Sequence, residues 1–241
     1  MGQCGVLDAS AEATRIAARL RSLSSTRVDP APVIRTALPF YAVAVGDLRR
    51  VARGWHREHP DAGPADVAAV ADALWARRVR EEMVVAALVH GHDARSRRRF
   101  GLRTVDRWSR SLDNWETADA LGAWLTAPAV ADDPSRRFPM LETLAGRRNP
   151  WARRVGMVGC LGIARDPGGA EWWPRVAALV LHLAGDREAA IPKAVSWVLR
   201  SHTRHHPDLV AGFVEANATE LPAVAVRETR NKLRTGTKSG R

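Results

Sequence analysis

Helix-breaking sequences recur along the whole chain and divide it into segments of roughly 10–18 residues. Between the breakers, Ala, Leu and Arg dominate, and few stretches alternate with the period of two that a half-buried strand needs. The pattern therefore predicts an all-α protein. The main breakers are Asp29-Pro30, His59-Pro60, Asp133-Pro134, Asp166-Pro167-Gly168-Gly169 and His206-Pro207.

The predicted helices are short and follow one another closely. Neighbouring helices pair, and each pair with its turns takes about 30–45 residues, which is the length of a HEAT or armadillo repeat. Such pairs stack into a HEAT-like solenoid, and Arg-rich helices on its concave face would make a basic groove for a rod-like anion such as DNA. We predict a single domain over 1–234 and a disordered tail over 235–241. We place the helices at 9–24, 31–38, 46–59, 64–76, 80–93, 95–110, 114–126, 137–146, 149–164, 171–184, 187–204, 207–217 and 222–234.

The charge balance points to a polyanionic partner. The 241 residues include 37 Lys and Arg against 26 Asp and Glu, which gives a formal net charge of +11 and a pI near 11.2. A GC-rich genome could account for part of this excess, but a surplus of this size favours nucleic acid or an anionic membrane surface. No apolar run approaches the roughly 20 residues that cross a bilayer. Of the possible partners, nucleic acid is favoured over a membrane surface and over no polyanion partner at all.

Only two cysteines are present, Cys4 and Cys160. Two cysteines exclude a disulfide framework and a multi-cysteine zinc site, and they fit a reducing cytoplasm.

The segment DNWETAD, at 113–119, places an acid one helical turn from an indole. Asn114 is a good N-cap, and Trp115 and Asp119 are four residues apart, so they share one helix face. An acid beside an indole is a candidate site for stabilising a developing positive charge. Spacing alone favours a simpler alternative, in which Trp115 is a core residue and Asp119 binds the N-terminus of a neighbouring helix.

The segment NPWARR, at 149–154, opens another helix. Asn149 is its cap and Pro150 takes the first helical position. Trp151 and Arg154 are three apart and therefore neighbours. Arg154 is either a ligand of a backbone phosphate or a surface arginine that rests on Trp151, and the pattern does not choose between them.

The segment IPKAVSWVLR, at 191–200, aligns two cations and an indole. Lys193, Trp197 and Arg200 recur at spacings of four and three, which puts them on one stripe of a helix. Stripes of this kind can line a nucleic-acid groove, although most are ordinary helix surface.

Two further patterns carry less weight. His202, His205 and His206 lie at a helix end without a suitably spaced carboxylate or cysteine, so no metal site is expected. An arginine run before DNWETAD is either a solvated helix face or an electrostatic lead-in to a DNA groove. It comprises Arg95, Arg97, Arg98, Arg99, Arg103, Arg107 and Arg110.

In this order and at this spacing, DNWETAD, NPWARR and IPKAVSWVLR resemble the AlkD-type DNA-alkylation-repair family. Two weaker stretches add to the resemblance, LPFYAVAVGDLRR at 38–50 and LPAVAVRETRNKL at 221–233. Together they extend it over about 38 to 233. The resemblance implies a HEAT-like, monofunctional glycosylase that acts on cationic N3- and N7-alkylated purines in duplex DNA, without a deep base-flipping pocket.

The resemblance also implies roles for individual residues. Trp115 and Trp197 would be the aromatic walls of the site, and Asp119 its catalytic carboxylate. Arg154 would bind a backbone phosphate. Other DNA contacts are expected from Arg49, Trp151, Lys193 and Arg200. We expect a bacterial, cytoplasmic monomer that joins the nucleoid when bound to DNA, with no metal and no small-molecule cofactor.

The N-terminal part departs from the pattern of the family. Val33 stands where active relatives carry an aromatic residue, usually Tyr. Ala42, Val45 and Gly46 stand where the family prefers Gly, a hydroxyl residue or Val, and Pro. We expect these departures to alter lesion range rather than remove hydrolysis, because both tryptophans and the carboxylate are retained.

Two other functions remain open. A non-catalytic HEAT-like scaffold that binds DNA or an acidic protein would keep the fold and the charge, without needing the carboxylate and both tryptophans together. A regulatory protein-interaction solenoid would be indifferent to DNA. The residues do not determine whether the preferred lesion is a small methyl group or a bulky natural-product adduct.

Overall fold

A computed structural model describes residues 7–24 and 34–241. Every regular element in these ranges is helical, which confirms the all-α prediction. The chain divides into two compact units, Met1–Leu125 and Thr126–Arg241. The single domain, the disordered tail and the concave basic face stay predictions.

The first unit is built around its fourth described helix. Every residue from Arg80 to Gly91 is buried, and the helix packs against the two described helices that precede it. The run MVVAALV, at 83–89, supplies the apolar surface that a helix buried on all sides requires. In chain order the helices are α1 (Ala9–Ser22), α2 (Val45–Glu58), α3 (Pro64–Ala76), α4 (Arg80–His92), α5 (Ala94–Arg97), α6 (Leu102–Ser109) and α7 (Trp115–Asp119).

A π-helix, Ala120–Thr126, continues directly from α7. Gly91 of α4 lies against it so closely that an added Cβ would be 1.9 Å from the carbonyl oxygen of Trp124. Only glycine therefore fits at this position without a backbone shift. π-helical turns occur often at functional sites, and this one follows Asp119 immediately.

The second unit is also a stack of packed helices. Within it, α10 packs against α13, and these two helices also pack against α9 and α15, respectively. The elements are α8 (Ala127–Asp132), α9 (Pro134–Ala145), α10 (Pro150–Gly159), α11 (Leu161–Ala164), a 3-10 turn (Gly169–Trp172), α12 (Trp173–Ala184), α13 (Ala190–His202), α14 (Pro207–Ala216) and α15 (Ala223–Thr235).

The predicted helix at 95–110 is wrong in its middle. The chain forms α5 and α6 there, with a break at 98–101. Phe100 is buried within the break, and Gly101 starts α6 from an extended conformation. Burial of one aromatic side chain thus outweighs the helical preference of the surrounding arginines.

The predicted start at residue 137 is also wrong. Here α9 begins at Pro134, because Asp133 accepts a hydrogen bond from the Arg136 N–H (3.2 Å) and proline fits the first helical position. Helix α8, which was not predicted, likewise holds Pro128 in its first turn. Of the predicted helix at 31–38, residues 31–33 lie outside the described part of the chain and residues 35–38 are not helical.

Candidate functional site

The short helix α7 presents Trp115 and Asp119 on one face. Asn114 caps it, and its side chain accepts a hydrogen bond from the Thr117 N–H (3.0 Å), which confirms the predicted cap. Trp115 is 38% exposed, so the alternative that it is a core residue is wrong. An indole left open to solvent one turn from a carboxylate is available to contact a ligand.

A buried ion pair holds α7 against the start of α4. Arg80 donates from Nη2 to Glu116 Oε1 (2.8 Å) and from Nε to Glu116 Oε2, and both side chains are at least nine-tenths buried. The same guanidinium donates to Glu81 Oε1 (2.7 Å). Two bonds in the plane of the guanidinium restrict both the distance and the rotation between the helices. Glu116 lies between Trp115 and Asp119 in sequence, so the pair sets where α7 sits.

The loop at 36–43 is bound to the same two helices. Asp113, just before α7, accepts hydrogen bonds from Thr36 Oγ1 (2.7 Å) and from the Ala37 N–H (2.7 Å). Glu81 of α4 accepts from the N–H groups of Tyr41 (2.9 Å) and Val43 (3.2 Å). Side-chain hydrogen bonds therefore hold the loop both to the residue before the N-cap of α7 and to α4.

Ala42, within this loop, has a φ of +57°. This left-handed conformation favours glycine, the residue that the resemblance leads us to expect here. Alanine at this position therefore carries local backbone strain. Val45 and Gly46 form the first turn of α2. Val33 lies outside the described residues.

Arg49 on α2 lies over the ring of Trp124 in the π-helix, with its guanidinium carbon 4.9 Å from the ring centroid. Within this pair, Arg49 is exposed to solvent. A cation held over an indole is oriented without being neutralised, so it keeps its charge for an anionic ligand. The position agrees with the predicted DNA contact, which itself stays a prediction.

In the second unit, Asn149 and Pro150 open α10 as predicted, and Asn149 accepts a hydrogen bond from the Trp151 N–H (2.9 Å). Arg154 is only 7% exposed and donates from Nη1 to the carbonyl oxygen of Ala190 (2.5 Å). It is therefore not a surface arginine. Its guanidinium joins α10 to the first residue of α13.

The stripe on α13 is organised by an acid on α15. Glu228 accepts hydrogen bonds from Lys193 Nζ at Oε1 (3.0 Å) and from Ser196 Oγ at Oε2 (2.5 Å), and Arg200 Nε lies 3.4 Å from Oε2. Burial works to raise the pKa of Glu228, but the Ser196 and Lys193 hydrogen bonds and the charges of Lys193 and Arg200 outweigh it and lower the pKa. Trp197, partly exposed, lies between these two cations along α13.

The sequence matches the model of the DNA alkylation repair enzyme family over residues 16–233. The chain belongs to this family. Among solved structures, a protein from Enterococcus faecalis described as a predicted DNA alkylation repair enzyme has the same fold. It is 17% identical, with a TM-score of 0.65 and a match over 93% of this chain and 96% of that one.

Two further structures, both from Streptococcus mutans, share the fold of this DNA alkylation repair family member. AlkD2 is 16% identical, with a TM-score of 0.60, over 84% of this chain and 89% of that one. The protein smu.31 of strain UA159 is 14% identical, with a TM-score of 0.59, over 85% and 89%. None of the proteins of curated function matches the chain. At these identities the structures establish the fold alone.

In this family member the predicted site residues fall into two sets. Trp115, Asp119 and Arg49 belong to the first unit. Trp151, Arg154, Lys193, Trp197 and Arg200 belong to the second. Within each set, the placement of the side chains agrees with the predicted pattern. Helix α7 carries an exposed indole and a carboxylate, and α13 carries an indole between two cations. Their joint action on one substrate stays a prediction.

Sequence reasoning missed the acids and the arginine that support these residues. Glu116 lies inside DNWETAD and Glu228 inside LPAVAVRETRNKL, but neither spacing reveals a partner 36 or 32 residues away. Arg80 and Glu81 stand at the start of an otherwise largely apolar helix, α4, and this placement was the available sign that they are buried and paired.

Neither a metal site nor a membrane span is found in the parts of the chain that the structure describes. No three His, Cys, Asp or Glu residues there are arranged to hold a metal ion. No helix in those parts is both long and apolar enough to cross a bilayer. In the histidine cluster, His202 is buried and its Nδ1–H donates to the carbonyl oxygen of Val198 (2.9 Å).

Proposed function

We propose that this protein is a monofunctional DNA glycosylase that hydrolyses the N-glycosidic bond of cationic N3- and N7-alkylated purines in duplex DNA. The observation that carries the proposal is the exposed indole of Trp115, one helical turn from Asp119, on a helix held by a buried ion pair. Membership of an alkylation repair family supports it.

The chemistry requires a carboxylate but does not require a general acid. An alkylated purine already carries a positive charge, so it leaves with the electrons of the C1′–N bond without being protonated. Positive charge then develops on the sugar, where the carboxylate of Asp119 stabilises it and orients the incoming water. Water adds to C1′ and loses its proton to the carboxylate of Asp119. Indole faces from Trp115 and Trp197 favour the cation and exclude bulk water.

The remaining predicted residues would hold the duplex. Arg49 and Lys193 keep exposed cationic groups that can reach phosphates. Trp151 and Arg200, both partly exposed, would add contacts from α10 and α13. Arg154 would act at the junction of α10 and α13, where its guanidinium already binds Ala190. The same proposal places a monomer in the bacterial cytoplasm, on the nucleoid when bound.

The test is release of free base from duplex DNA that contains N7-methylguanine, with enzyme in excess. Wild type should release the base, and Asp119→Asn should not, while both bind the duplex. Asp61→Asn, a change of the same charge at an exposed position in the same unit, is the matched control and should behave as wild type.

Bulky N3- and N7-adducts form the second arm of this test. Release from these adducts alone would identify the lesion class as bulky. Failure across the whole panel, with DNA binding intact, would leave the alternative of a non-catalytic HEAT-like scaffold. Absence of DNA binding as well would favour a protein-interaction solenoid.

A further inference from the structure

An open cleft of about 720 Å³ lies in the first unit, between the C-terminal half of α2 and the turn that joins α4 to α5. His56 and Arg57 follow Arg53 by three and four residues, so the three side chains lie on one face of α2. Three polar residues from the α4–α5 turn complete the lining. The polar lining residues are Arg53, His56, Arg57, His92, Asp93 and Arg95.

The positive charge of this cleft is largely uncompensated by the protein. Within residues 7–24 and 34–241, neither Arg53 nor Arg57 forms a hydrogen bond or an ion pair, and both are exposed. Of the three guanidinium groups in the cleft, that of Arg95 is paired with the single carboxylate, Asp93 (3.2 Å), so the charges of Arg53 and Arg57 remain. That carboxylate is already committed, because it caps α5 through the N–H groups of Arg95 (2.7 Å) and Ser96 (3.1 Å).

Two imidazoles lie between these charges. The ring centroids of His56 and His92 are 6.2 Å apart. His56 Nε2 bonds the carbonyl oxygen of Val89 (2.9 Å), which can only accept, so Nε2 carries the proton and Nδ1 is the atom left to take up a second one. Each protonation would add one charge to a cleft that is already cationic.

We propose that this cleft binds backbone phosphates of duplex DNA, and that His56 and His92 take up protons when it does. The inference rests on the proposed function in that it takes duplex DNA as the partner. It adds a phosphate site on α2 and the α4–α5 turn, beside Arg49, and makes binding at that site sensitive to pH.

The electrostatics of both imidazoles favour this coupling. Burial is the main cause that lowers the pKa of His56, and the Val89 hydrogen bond and Asp93 oppose it. Burial also lowers the pKa of His92, together with the charges of His56, Arg53, Arg97 and Arg49. Both rings are therefore neutral near pH 7. Phosphates between them would offset the repulsion and raise both pKa values, so DNA binding and proton uptake must strengthen each other.

Binding is best measured on an unmodified duplex, which contains nothing to excise. The double variant Arg53→Gln, Arg57→Gln should bind more weakly than wild type, by about tenfold or more, near 0.1 M salt. The plot of log K against log salt should also become less steep, its negative slope shrinking in magnitude by about two. Arg165→Gln with Arg187→Gln removes the same charge from exposed positions in the second unit and should leave that slope close to wild type. Equal slopes for the two double variants would overturn the phosphate site.

The proton linkage has its own pair of measurements. Wild-type affinity should rise several-fold as pH falls from 8 to 5.5, and His56→Gln with His92→Gln should remove most of that rise while retaining the fold. The glutamine at position 56 keeps a donor for Val89. An unchanged pH profile in this variant would refute proton uptake at these residues.

NMR titration of the histidine C2 protons in the wild-type protein needs no variant and separates two sources of phosphate. The duplex should move the titrations of His56 and His92 to higher pH, and inorganic phosphate at equal phosphate concentration should not. A shift with inorganic phosphate and none with DNA would identify a free-anion site instead. Because no lesion is present, these outcomes stand apart from the base-release test of the proposed function.

Discussion

Arg80 and Glu116 form a two-bond ion pair that is buried from solvent and joins the start of α4 to the helix that carries Trp115 and Asp119. A second pair of the same chemistry, Arg230 with Glu215, also has two bonds (2.8 and 2.7 Å) but lies on the surface. The two pairs differ in how far their side chains are buried from solvent.

The two pairs predict unequal losses of stability. Glu116→Ala should lower the free energy of unfolding by about 3–5 kcal/mol, because it leaves a guanidinium buried with one partner fewer. Glu215→Ala should cause a far smaller loss, since water replaces the lost partner. Urea unfolding measures both. Similar losses in the two variants would show that the buried pair does not hold α7.

Adding a side chain at Gly91 should destabilise the protein, and Gly46, which has open space around it, provides the comparison. Gly91→Ala would place a Cβ 1.9 Å from the Trp124 carbonyl oxygen and should cost about 3 kcal/mol or more. Gly46→Ala, also in a helix, has no atom within 4 Å of the added Cβ and should be neutral or stabilising by up to about 1 kcal/mol. Thermal unfolding of both variants is the measurement. A tolerated alanine at 91 would contradict the close approach of α4 to the π-helix.

Ala42 predicts a gain of stability. Because its φ is +57°, Ala42→Gly should relieve local strain and raise the free energy of unfolding by about 0.5–1 kcal/mol, after the greater freedom of glycine in the unfolded chain is subtracted. The control is Ala69→Gly, on the exposed face of α3, where the same change should cost about 1 kcal/mol. Opposite signs are the expected result, and a loss in both variants would contradict it.

His202 predicts a loss of stability in mild acid. Burial lowers its pKa from 6.5 to about 4, so between these values the unfolded chain binds a proton that the folded protein does not. Stability therefore falls as pH decreases from 6.5 towards 4, and the His202 contribution between pH 7 and pH 5 is about 2 kcal/mol. The measurement is denaturant unfolding of wild type and His202→Gln at both pH values. The variant should lose less stability than wild type on acidification; an equal loss would assign the effect to other groups.

Much of the fold could be read from the sequence because helices depend on contacts over three or four residues. Asn114 and the pair Asn149-Pro150 start their helices as predicted. Prediction failed where distant packing decided the outcome, as at buried Phe100, which interrupts a helix. It also failed around Asp133-Pro134, which lies directly between two helices, ending α8 and starting α9.

The sequence by itself determined the helical class, the caps and the presence of an acid and an indole one turn apart, since each depends on near neighbours along the chain. Only the tertiary structure decided which of these side chains are exposed and what supports them. Trp115 is open to solvent, Arg154 is buried against Ala190, and Glu228 forms ion pairs with Lys193 and Arg200 of another helix. Such pairings join residues that are distant in sequence, and they depend on how the helices pack, which no local pattern encodes.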